Sequence, residues 1–308
     1  MPIIKAKDIA YVRLSSPDLD GMETFLTDFG MVRSERTDDR LFMRGVGTAH
    51  HIHVTEKGPA GFIGFAYTAC EAQDLETLSK ATGAPIEDIN EAGGGRRVRL
   101  REPNGFIVDV VHGIAEVEAI PDTVALIRPP GAPVRRKGPA RVVRMAHGVL
   151  ATPKVVETTE WFRHHLGFIP TDDLFVNEPS NIIGSFNRVD AGDGLVDHHV
   201  IFCVRNAKAG MHHSSFEVVD PNDIFLGHDY LTAANYDHMR GIGRHPLGSQ
   251  IFDYWVSPWD QMHELWSSNE RFNADSGAGQ VKVGAGLGHE GGSAPSERFV
   301  KQSTPAPV

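Results

Sequence analysis

The chain has 308 residues, of which 41% are hydrophobic and 23% charged, as is usual for a globular protein. Its formal net charge is −10 and it contains no basic block, which argues against nucleic acid as a partner. No apolar run approaches the roughly 18–20 residues of a membrane span, and the N-terminus lacks a signal-peptide core, so no membrane partner is expected.

Cysteine and histidine usage narrows the compartment and the chemistry. Cys70 and Cys203 are far apart in sequence and lie in apolar, strand-like runs. Two such cysteines predict core packing in a reducing, cytoplasmic environment and not a disulfide framework. Histidine occurs sixteen times, and it clusters at 50–53, 164–165, 198–199 and 212–213.

The same series of predicted strands and helices occurs twice along the chain. Residues 8–31 and 144–168 each combine a short alternating strand with an amphipathic helix. Each helix is expected to have a Pro in its first turn and to end at a Gly, as in many protein helices. The halves continue with a second strand, at 60–67 and 211–218, and close with a turn and strand, at 101–111 and 256–266.

This repetition predicts an α+β protein with two similar halves, each built from βαβββ-like units. The expected divisions follow the composition of the chain. They are an N-terminal domain at 1–113, a Pro-rich linker at 114–140, a C-terminal domain at 141–272 and a Gly/Ser/Pro-rich tail at 273–308.

Three matching positions carry different chemistry in the two halves. The second half offers two imidazoles and one carboxylate, which is the ligand set of a non-haem Fe(II) oxygenase with positions left for substrate and O2. The first half cannot build that set, so it is expected to be metal-free. The paired residues, first half before second, are Tyr11 and His147, Phe62 and His213, and Asp109 and Glu264.

The adjacent pair His212 and His213 raises the question of which one faces the site. Neighbouring residues of a strand point to opposite faces, so at most one can look into a given pocket. His213 has the matching place in the repeat, so we expect it to be the ligand and His212 to face away. The remaining group, His50, His51 and His53, has no such placement and is expected to lie on the surface or in packing.

The second half resembles the type I extradiol ring-cleavage dioxygenases of the vicinal oxygen chelate superfamily. The segments that carry the resemblance are "MAHGVL" (145–150), "GMHHSSFEV" (210–218) and "GIGRHPLGSQIFDYWVSPWDQMHELW" (241–266). The resemblance covers nearly the whole chain. It implies two tandem vicinal oxygen chelate domains, each a pair of βαβββ modules around a funnel, with an inert N-terminal half.

The resemblance also implies the cofactor and its ligands. Fe(II), or less commonly Mn(II), would be held by His147, His213 and Glu264. The substrates would be a substituted catechol and O2, with the ring cleaved next to the diol in the degradation of aromatic compounds. The sequence of the last segment, 241–266, is similar to those of the family branch that acts on single-ring catechols. The family often forms homo-oligomers, so one is expected here.

Further roles follow from the resemblance position by position. His199 would be the acid–base group in the strand before the second ligand, with His198 as the rival for that role. Tyr254 would hydrogen-bond a substrate oxygen, and His245 would lie on the substrate side of the site. One departure is Asp260, which stands where the family usually has Gly, so the shape of that turn is an open question.

Two alternatives remain. A metal-dependent isomerase or epimerase of the same fold tends to draw ligands from both halves, and Tyr11 and Phe62 argue against that arrangement. A non-enzymatic small-molecule binding protein needs an apolar cleft and no metal triad, which the two histidines and Glu264 argue against.

Overall fold

The computed structural model describes the chain except for residues 122–129, 132–136 and 285–289. The predicted linker at 114–140 therefore lies partly outside the described residues. Among those residues, no helix is long and apolar enough to cross a membrane.

The first half forms one eight-stranded sheet with two helices, in the strand order β2-β3-β4-β1-β5-β8-β7-β6. Its elements are β1 (Ala6–Ser16), α1 (Leu19–Phe29), β2 (Val32–Arg36), β3 (Arg40–Arg44), β4 (His53–Lys57), β5 (Gly61–Ala69), α2 (Ala72–Thr82), β6 (Ile86–Asp88), β7 (Arg96–Arg101) and β8 (Ile107–His112).

The second half forms a nine-stranded sheet in the order β15-β16-β17-β14-β9-β13-β11-β10-β19. Its elements are β9 (Val142–Thr152), α3 (Val155–Leu166), β10 (Ile169–Phe175), β11 (Ile182–Arg188), β12 (Val196–Asp197), β13 (Ile201–Arg205), β14 (Gly210–Val218), α4 (Pro221–Ala233), β15 (Asp237–Arg244), β16 (Ile251–Val256), β17 (Met262–Ser267), β18 (Arg271–Phe272), a 3-10 turn (Ala274–Ser276), β19 (Gly279–Lys282) and α5 (Glu297–Lys301). The short strands β12 and β18 pair with each other.

The two sheets have the same topology. The second strand order, taken from its β19 end and without that added edge strand, matches the first strand for strand. The replacements, in the order of the first sheet, are β10, β11, β13, β9, β14, β17, β16 and β15 for β2, β3, β4, β1, β5, β8, β7 and β6. The predicted α+β class and the predicted repetition are therefore confirmed. Each sheet has an antiparallel pair of strands near the middle of its strand order, β1 with β5 in the first and β9 with β14 in the second.

The helix ends follow the sequence signals closely. Gly30 and Gly167 adopt the left-handed conformation, with φ of 117° and 71°, and end α1 and α3 as predicted. The two prolines lie just before the helices instead of inside their first turns. Pro17 precedes the cap residue Asp18, whose carboxylate accepts hydrogen bonds from two backbone N–H groups of the first turn.

The two halves share one hydrophobic core. Phe25 and Phe29 of α1 pack edge-on against His263 of β17, with ring centroids 5.2 and 5.7 Å apart. His53 of β4 stacks on the same imidazole, and their Nε2 atoms are 3.2 Å apart. All four side chains are buried, so His53 serves packing between the halves.

The segment at 273–308, which the composition predicted to be a tail, is in contact with both halves in its described part. β19 adds to the edge of the second sheet beside β10. Thr304 bridges to Met211 of β14, and the Phe62 N–H donates to the Pro305 carbonyl at 2.7 Å. This path brings α5 over the face of the second sheet.

Candidate metal centre

The register of four neighbouring strands brings the site together. Tyr254 of β16 is opposite Glu264 of β17, Glu264 is opposite Ser215 of β14, and Ser215 is opposite His147 of β9. These residues form one row across the sheet. His213 is two residues before Ser215 and therefore on the same face. The strand pairing alone thus gathers His147, His213 and Glu264 on the concave side.

The three candidate ligand atoms are close enough to share one ion. His147 Nε2 lies 3.3 Å from His213 Nε2 and 3.1 Å from Glu264 Oε2, and His213 Nε2 lies 3.4 Å from that oxygen. Ligands about 2.1 Å from a metal and about 90–110° apart are about 3.0–3.4 Å from one another. The observed triangle matches one face of such a coordination shell.

The electrostatics of the cluster also fit a divalent cation. Glu264 is 1% exposed, and within the described part of the chain no Lys or Arg nitrogen lies within 4.0 Å of it. Burial raises the pKa of Glu264, but His147, His213 and His245 outweigh it and hold that pKa well below its usual range. Burial lowers the pKa of His147 to about 4, so this imidazole is neutral at pH 7. A buried anion beside a neutral imidazole favours a bound metal ion.

The repeat corrects one of the predicted pairings. Tyr11 matches His147 and Asp109 matches Glu264, but the counterpart of His213 is Gly64, not Phe62. The register shows it, because Arg13 pairs with Gly64 in the first sheet as Val149 pairs with His213 in the second. A Cβ atom at position 64 would overlap the Ile107 carbonyl oxygen, so no side chain fits there.

The first half neutralises its carboxylate in a different way. Arg99 of β7 is opposite Asp109 of β8, just as Tyr254 is opposite Glu264. The Arg99 guanidinium donates two hydrogen bonds of 2.8 Å to the two oxygens of Asp109. The same row therefore holds an internal ion pair in the first half and a metal-ligand set in the second.

The expected orientation of His212 is wrong. A shift in the pairing of β14 with β9 between Met211 and His213 interrupts the strand alternation. His212 and His213 consequently lie side by side, with their Nδ1 atoms 2.7 Å apart, and both line the same cavity. His212 Nε2 is 2.9 Å from the Phe299 carbonyl oxygen, which places it under α5 and not in the ligand triangle.

His199 and His198 have different surroundings. The His199 ring lies 4.0 Å from the ring of His147 and lines the cavity. His198 turns away, with its Nε2 2.9 Å from Asp172 Oδ2 and its Nδ1 3.0 Å from His199 Nδ1. Burial, followed by the charge of His147, lowers the pKa of His199 well below its usual value, so the ring is neutral at pH 7.

Tyr254 and His245 flank the triangle on its other side. The Tyr254 hydroxyl oxygen is 3.0 Å from His245 Nε2, which in turn is 3.7 Å from Glu264 Oε1. Burial and the charge of Glu264 raise the pKa of Tyr254 well above its usual value, so its hydroxyl keeps its proton. Both side chains border the cavity, as the resemblance implied they would.

The turn between β16 and β17 contains Asp260 in a conformation that favours glycine. Asp260 adopts the left-handed conformation, with φ of 58°, in which glycine is favoured and Asp is tolerated. The pairing of β16 with β17 continues without a shift from Ile251 to Val256. Replacement of the expected Gly by Asp260 therefore leaves Glu264 in register.

A cavity of about 580 Å³ opens above the triangle. Sequence reasoning missed part of its wall, because residues after 273 were interpreted as a tail. The apolar residues Phe299 and Val300, in an otherwise polar segment, were the available signal. Trp266, whose ring is 4.5 Å from that of His147, was also missed. Further apolar wall residues are Val149, Leu174, Phe186, Phe202, Val204 and Leu247.

No family model matches the chain. Among curated proteins, metapyrocatechase 2 of Cupriavidus necator is 27% identical over 266 residues, covering 83% of this chain and 79% of the relative. A manganese-dependent 2,3-dihydroxybiphenyl 1,2-dioxygenase of Geobacillus genomosp. 3 is 24% identical over 268 residues, covering 80% of each.

Solved structures show the same fold. Homoprotocatechuate 2,3-dioxygenase of Brevibacterium fuscum aligns with a TM-score of 0.83 at 19% identity, covering 98% of this chain and 94% of that one. A Mn(II)-bound glyoxalase of Novosphingobium aromaticivorans aligns with a TM-score of 0.81 at 20% identity, covering 98% and 96%. The chain is therefore a homologue of the extradiol ring-cleaving dioxygenases and has their tandem vicinal oxygen chelate fold.

Proposed function

We propose that this protein is an Fe(II)-dependent extradiol dioxygenase that cleaves the ring of a catechol next to its two hydroxyl groups. The observation that carries the proposal is the buried triangle of His147, His213 and Glu264 at the base of a cavity. Two imidazoles and one carboxylate occupy one face of a metal ion and leave the opposite face for substrate and O2.

The metal ion and the protein residues would have different roles in the reaction. A bound Fe(II) would supply the redox-active centre at which a catechol and O2 meet. His147, His213 and Glu264 would hold that ion at the closed end of the cavity. Because the only anionic ligand is Glu264, the ion would keep positive charge and favour a catechol that binds as an anion.

His199 would move the protons of the reaction. Its Nδ1 lies against His198 Nδ1, which leaves Nε2 as the atom to take a proton from a substrate hydroxyl and return it later. Because its imidazole is neutral at pH 7, it can begin as the base. His198, held by Asp172, would act as a positioning residue for this ring. This arrangement supports His199 over His198 as the acid–base group.

Tyr254 and His245 would orient the substrate. The Tyr254 hydroxyl stays protonated and points into the cavity, where it can donate to a substrate oxygen. His245 contacts both Tyr254 and Glu264, so it would couple the position of the hydroxyl to that of the ligand. These roles need no movement of the strands, because Tyr254 and Glu264 are already paired.

The cavity wall supports a catechol with an uncharged, apolar substituent. Phe186 and Phe202 stack with a centroid distance of 3.8 Å and form part of that wall. Both arginines among the described residues of the cavity wall have protein partners. Arg205 donates to Asn181 and to the Ile182 carbonyl. Arg240 donates to the Ser293 carbonyl and lies over the rings of Phe252 and Phe299. A carboxylate on the substituent would be desolvated among apolar side chains at a cost.

The ligand set accepts both Fe(II) and Mn(II), so the proposal of Fe(II) rests on the reaction class alone. One relative carries manganese dependence in its name, so Mn(II) is the competing ion. Cys203 is buried as predicted, whereas Cys70 is exposed, so the prediction of core packing is wrong for Cys70. Both are free thiols, which supports the further proposal of a reducing cytoplasmic location. The homo-oligomer stays a prediction.

The metal-dependent isomerase remains a second candidate, because a Mn(II)-bound glyoxalase shares the fold. The ligand triangle here comes from three strands of one sheet, and the matching row of the first half is closed by the Arg99–Asp109 pair. This arrangement favours the dioxygenase. The two candidates differ in a simple observable, since only the dioxygenase consumes O2.

The test combines metal content with O2 uptake. The protein is loaded anaerobically with Fe(II) or Mn(II) and then given catechol, 3-methylcatechol or 3,4-dihydroxyphenylacetate with O2. We expect O2 uptake and a yellow product with Fe(II), fastest with the methyl-substituted ring. Glu264→Gln, His147→Ala and His213→Ala should lose both metal and turnover, and the surface variant His164→Ala should lose neither. Turnover that persists in Glu264→Gln at full rate would contradict the proposal.

A further inference from the structure

A second group of metal-ligand residues lies on the outer side of the second sheet. His228 of α4, His238 of β15 and Asp253 of β16 place their ligand atoms within 4.8 Å of one another. Asp253 is next to Tyr254 on the same strand, and alternation sends its side chain to the face away from the cavity. This group is therefore separate from the centre formed by His147, His213 and Glu264.

Asp253 is a fully buried carboxylate with no Lys or Arg partner among the described residues. It is 0% exposed, and across the described residues its only ion-pair partners within 4.0 Å are the two histidines. The third contact is the Trp255 indole N–H, which donates to Oδ2 at 2.6 Å. A buried anion needs a compensating positive charge. Two imidazoles supply it only by being protonated or by holding a cation between them.

The distances suit a shared cation. His228 Nδ1 lies 3.0 Å from Asp253 Oδ2, and His238 Nε2 lies 2.8 Å from Oδ1. These distances are close to the roughly 3.0–3.4 Å between neighbouring ligands on a metal ion, and all three ligand atoms lie within 4.8 Å of one another. Each imidazole faces a different carboxylate oxygen, and the Trp255 N–H fixes the rotation of that carboxylate, as the surroundings of metal sites commonly do.

The site is also open to solvent at its outer edge. The side chains of His228 and His238 are 28% and 31% exposed, while Asp253 forms the buried base. An ion can enter from water and keep water molecules as its remaining ligands. Two nitrogen ligands exclude Mg²⁺ and Ca²⁺, which prefer oxygen, and favour a late first-row divalent ion.

We propose that His228, His238 and Asp253 form a second divalent-metal site of the zinc class. The bound ion ties α4 to the β15–β16 hairpin directly behind Tyr254. Its function is structural, because it lies on the opposite face from the cavity. It adds a link between a helix and the edge of the sheet that would otherwise depend on packing and hydrogen bonds.

The experiment counts zinc equivalents on the whole protein. Metal is removed with a chelator, and Zn²⁺ is titrated while bound metal is measured by equilibrium dialysis. Because two imidazoles and one carboxylate also suit Zn²⁺ at the His147 centre, we expect two equivalents in the wild type. His238→Ala should keep one, and His164→Ala, which changes an exposed histidine on α3, should keep two. The affinity for the second equivalent should fall by at least about 100-fold in His238→Ala. Mutation of a residue that only contacts a metal ligand typically costs about 10–100-fold in metal affinity.

A second background isolates the new site. His147→Ala should bind one equivalent, and His147→Ala combined with His238→Ala should bind none. If the His147 variant fails to fold, the count of two against one in the wild type and His238→Ala still decides. A wild type that binds one equivalent which His238→Ala retains, or a His238→Ala protein that still binds two, would show that this group is only a hydrogen-bonded cluster.

Discussion

His199 is the residue whose position says most about the chemistry. Its ring borders both His147 and the cavity, yet its nitrogens are not part of the ligand triangle. Its neighbour His198 does not line the cavity, and its Nε2 atom lies beside the carboxylate of Asp172. Of the two adjacent histidines, His199 therefore lines the cavity, whereas His198 contacts Asp172 on one side and His199 on the other.

Replacement of His199 by Asn should separate proton transfer from metal binding. Loss of a positioned acid–base group costs a factor of about 10²–10⁴ in rate. We expect His199→Asn to retain a full metal complement, to bind catechol and to lose turnover by that factor. Metal analysis and single-turnover kinetics measure these two properties. His198→Asn is the matched variant and should lose less, so the reverse order of the two variants would assign the acid–base role to His198.

At the scale of elements, the row of paired residues across four neighbouring strands occurs in both sheets but carries different side chains in each. In the second sheet the row contains Glu264, a carboxylate that has three histidines but, among the described residues, no Lys or Arg within 4.0 Å. In the first sheet the matching carboxylate, Asp109, is held by Arg99, and Gly64 leaves no room for a ligand. The fold provides the row, and the residues in it decide whether it forms a candidate metal site or an internal ion pair.

Asp109→Asn tests that difference between equivalent elements. The substitution leaves the Arg99 guanidinium without its anion, so the free energy of unfolding should fall by about 1–3 kcal/mol. Metal content and turnover per folded molecule should stay at wild-type levels. Urea denaturation and metal analysis give the two values. Metal loss from folded Asp109→Asn protein would mean that the first half contributes to the centre.

Sequence reasoning located His147 and Glu264 because their strands repeat without insertions. His213 was found although it was paired with Phe62 instead of Gly64, because an error of two residues keeps the same strand face. The orientation of His212 was wrong because a β-bulge leaves no periodic signal in this segment. The roof over the cavity was missed, since contact between positions 212 and 299 depends on tertiary structure.

At the scale of the whole molecule, buried neutral histidines connect stability to pH. His51 packs between Tyr11 and Phe42, and burial lowers its pKa to about 3. The unfolded chain takes up that proton near pH 6.5, the ordinary value for histidine. Between these two values the unfolded state holds one more proton, so the free energy of unfolding falls as the pH falls.

His51→Phe should reduce that pH dependence. One proton fewer in the unfolded state makes the slope shallower by up to about 1.4 kcal/mol per pH unit between pH 5.5 and 4. Urea denaturation at several pH values in that range measures the slope for both proteins. Phe keeps an aromatic ring in contact with Tyr11 and Phe42, so the fold should persist. An unchanged slope would mean that His51 is protonated in the folded state.

The central claim is that the centre of His147, His213 and Glu264 supports ring opening by O2. The most direct measurement is the mass of the product formed by Fe(II)-loaded protein from 3-methylcatechol under ¹⁸O₂. We expect a ring-opened product that has gained both atoms of one O2 molecule, with at most one exchanged for solvent oxygen. Glu264→Gln should form no product. Metal-loaded, folded protein that binds the catechol but consumes no O2 would contradict the central claim.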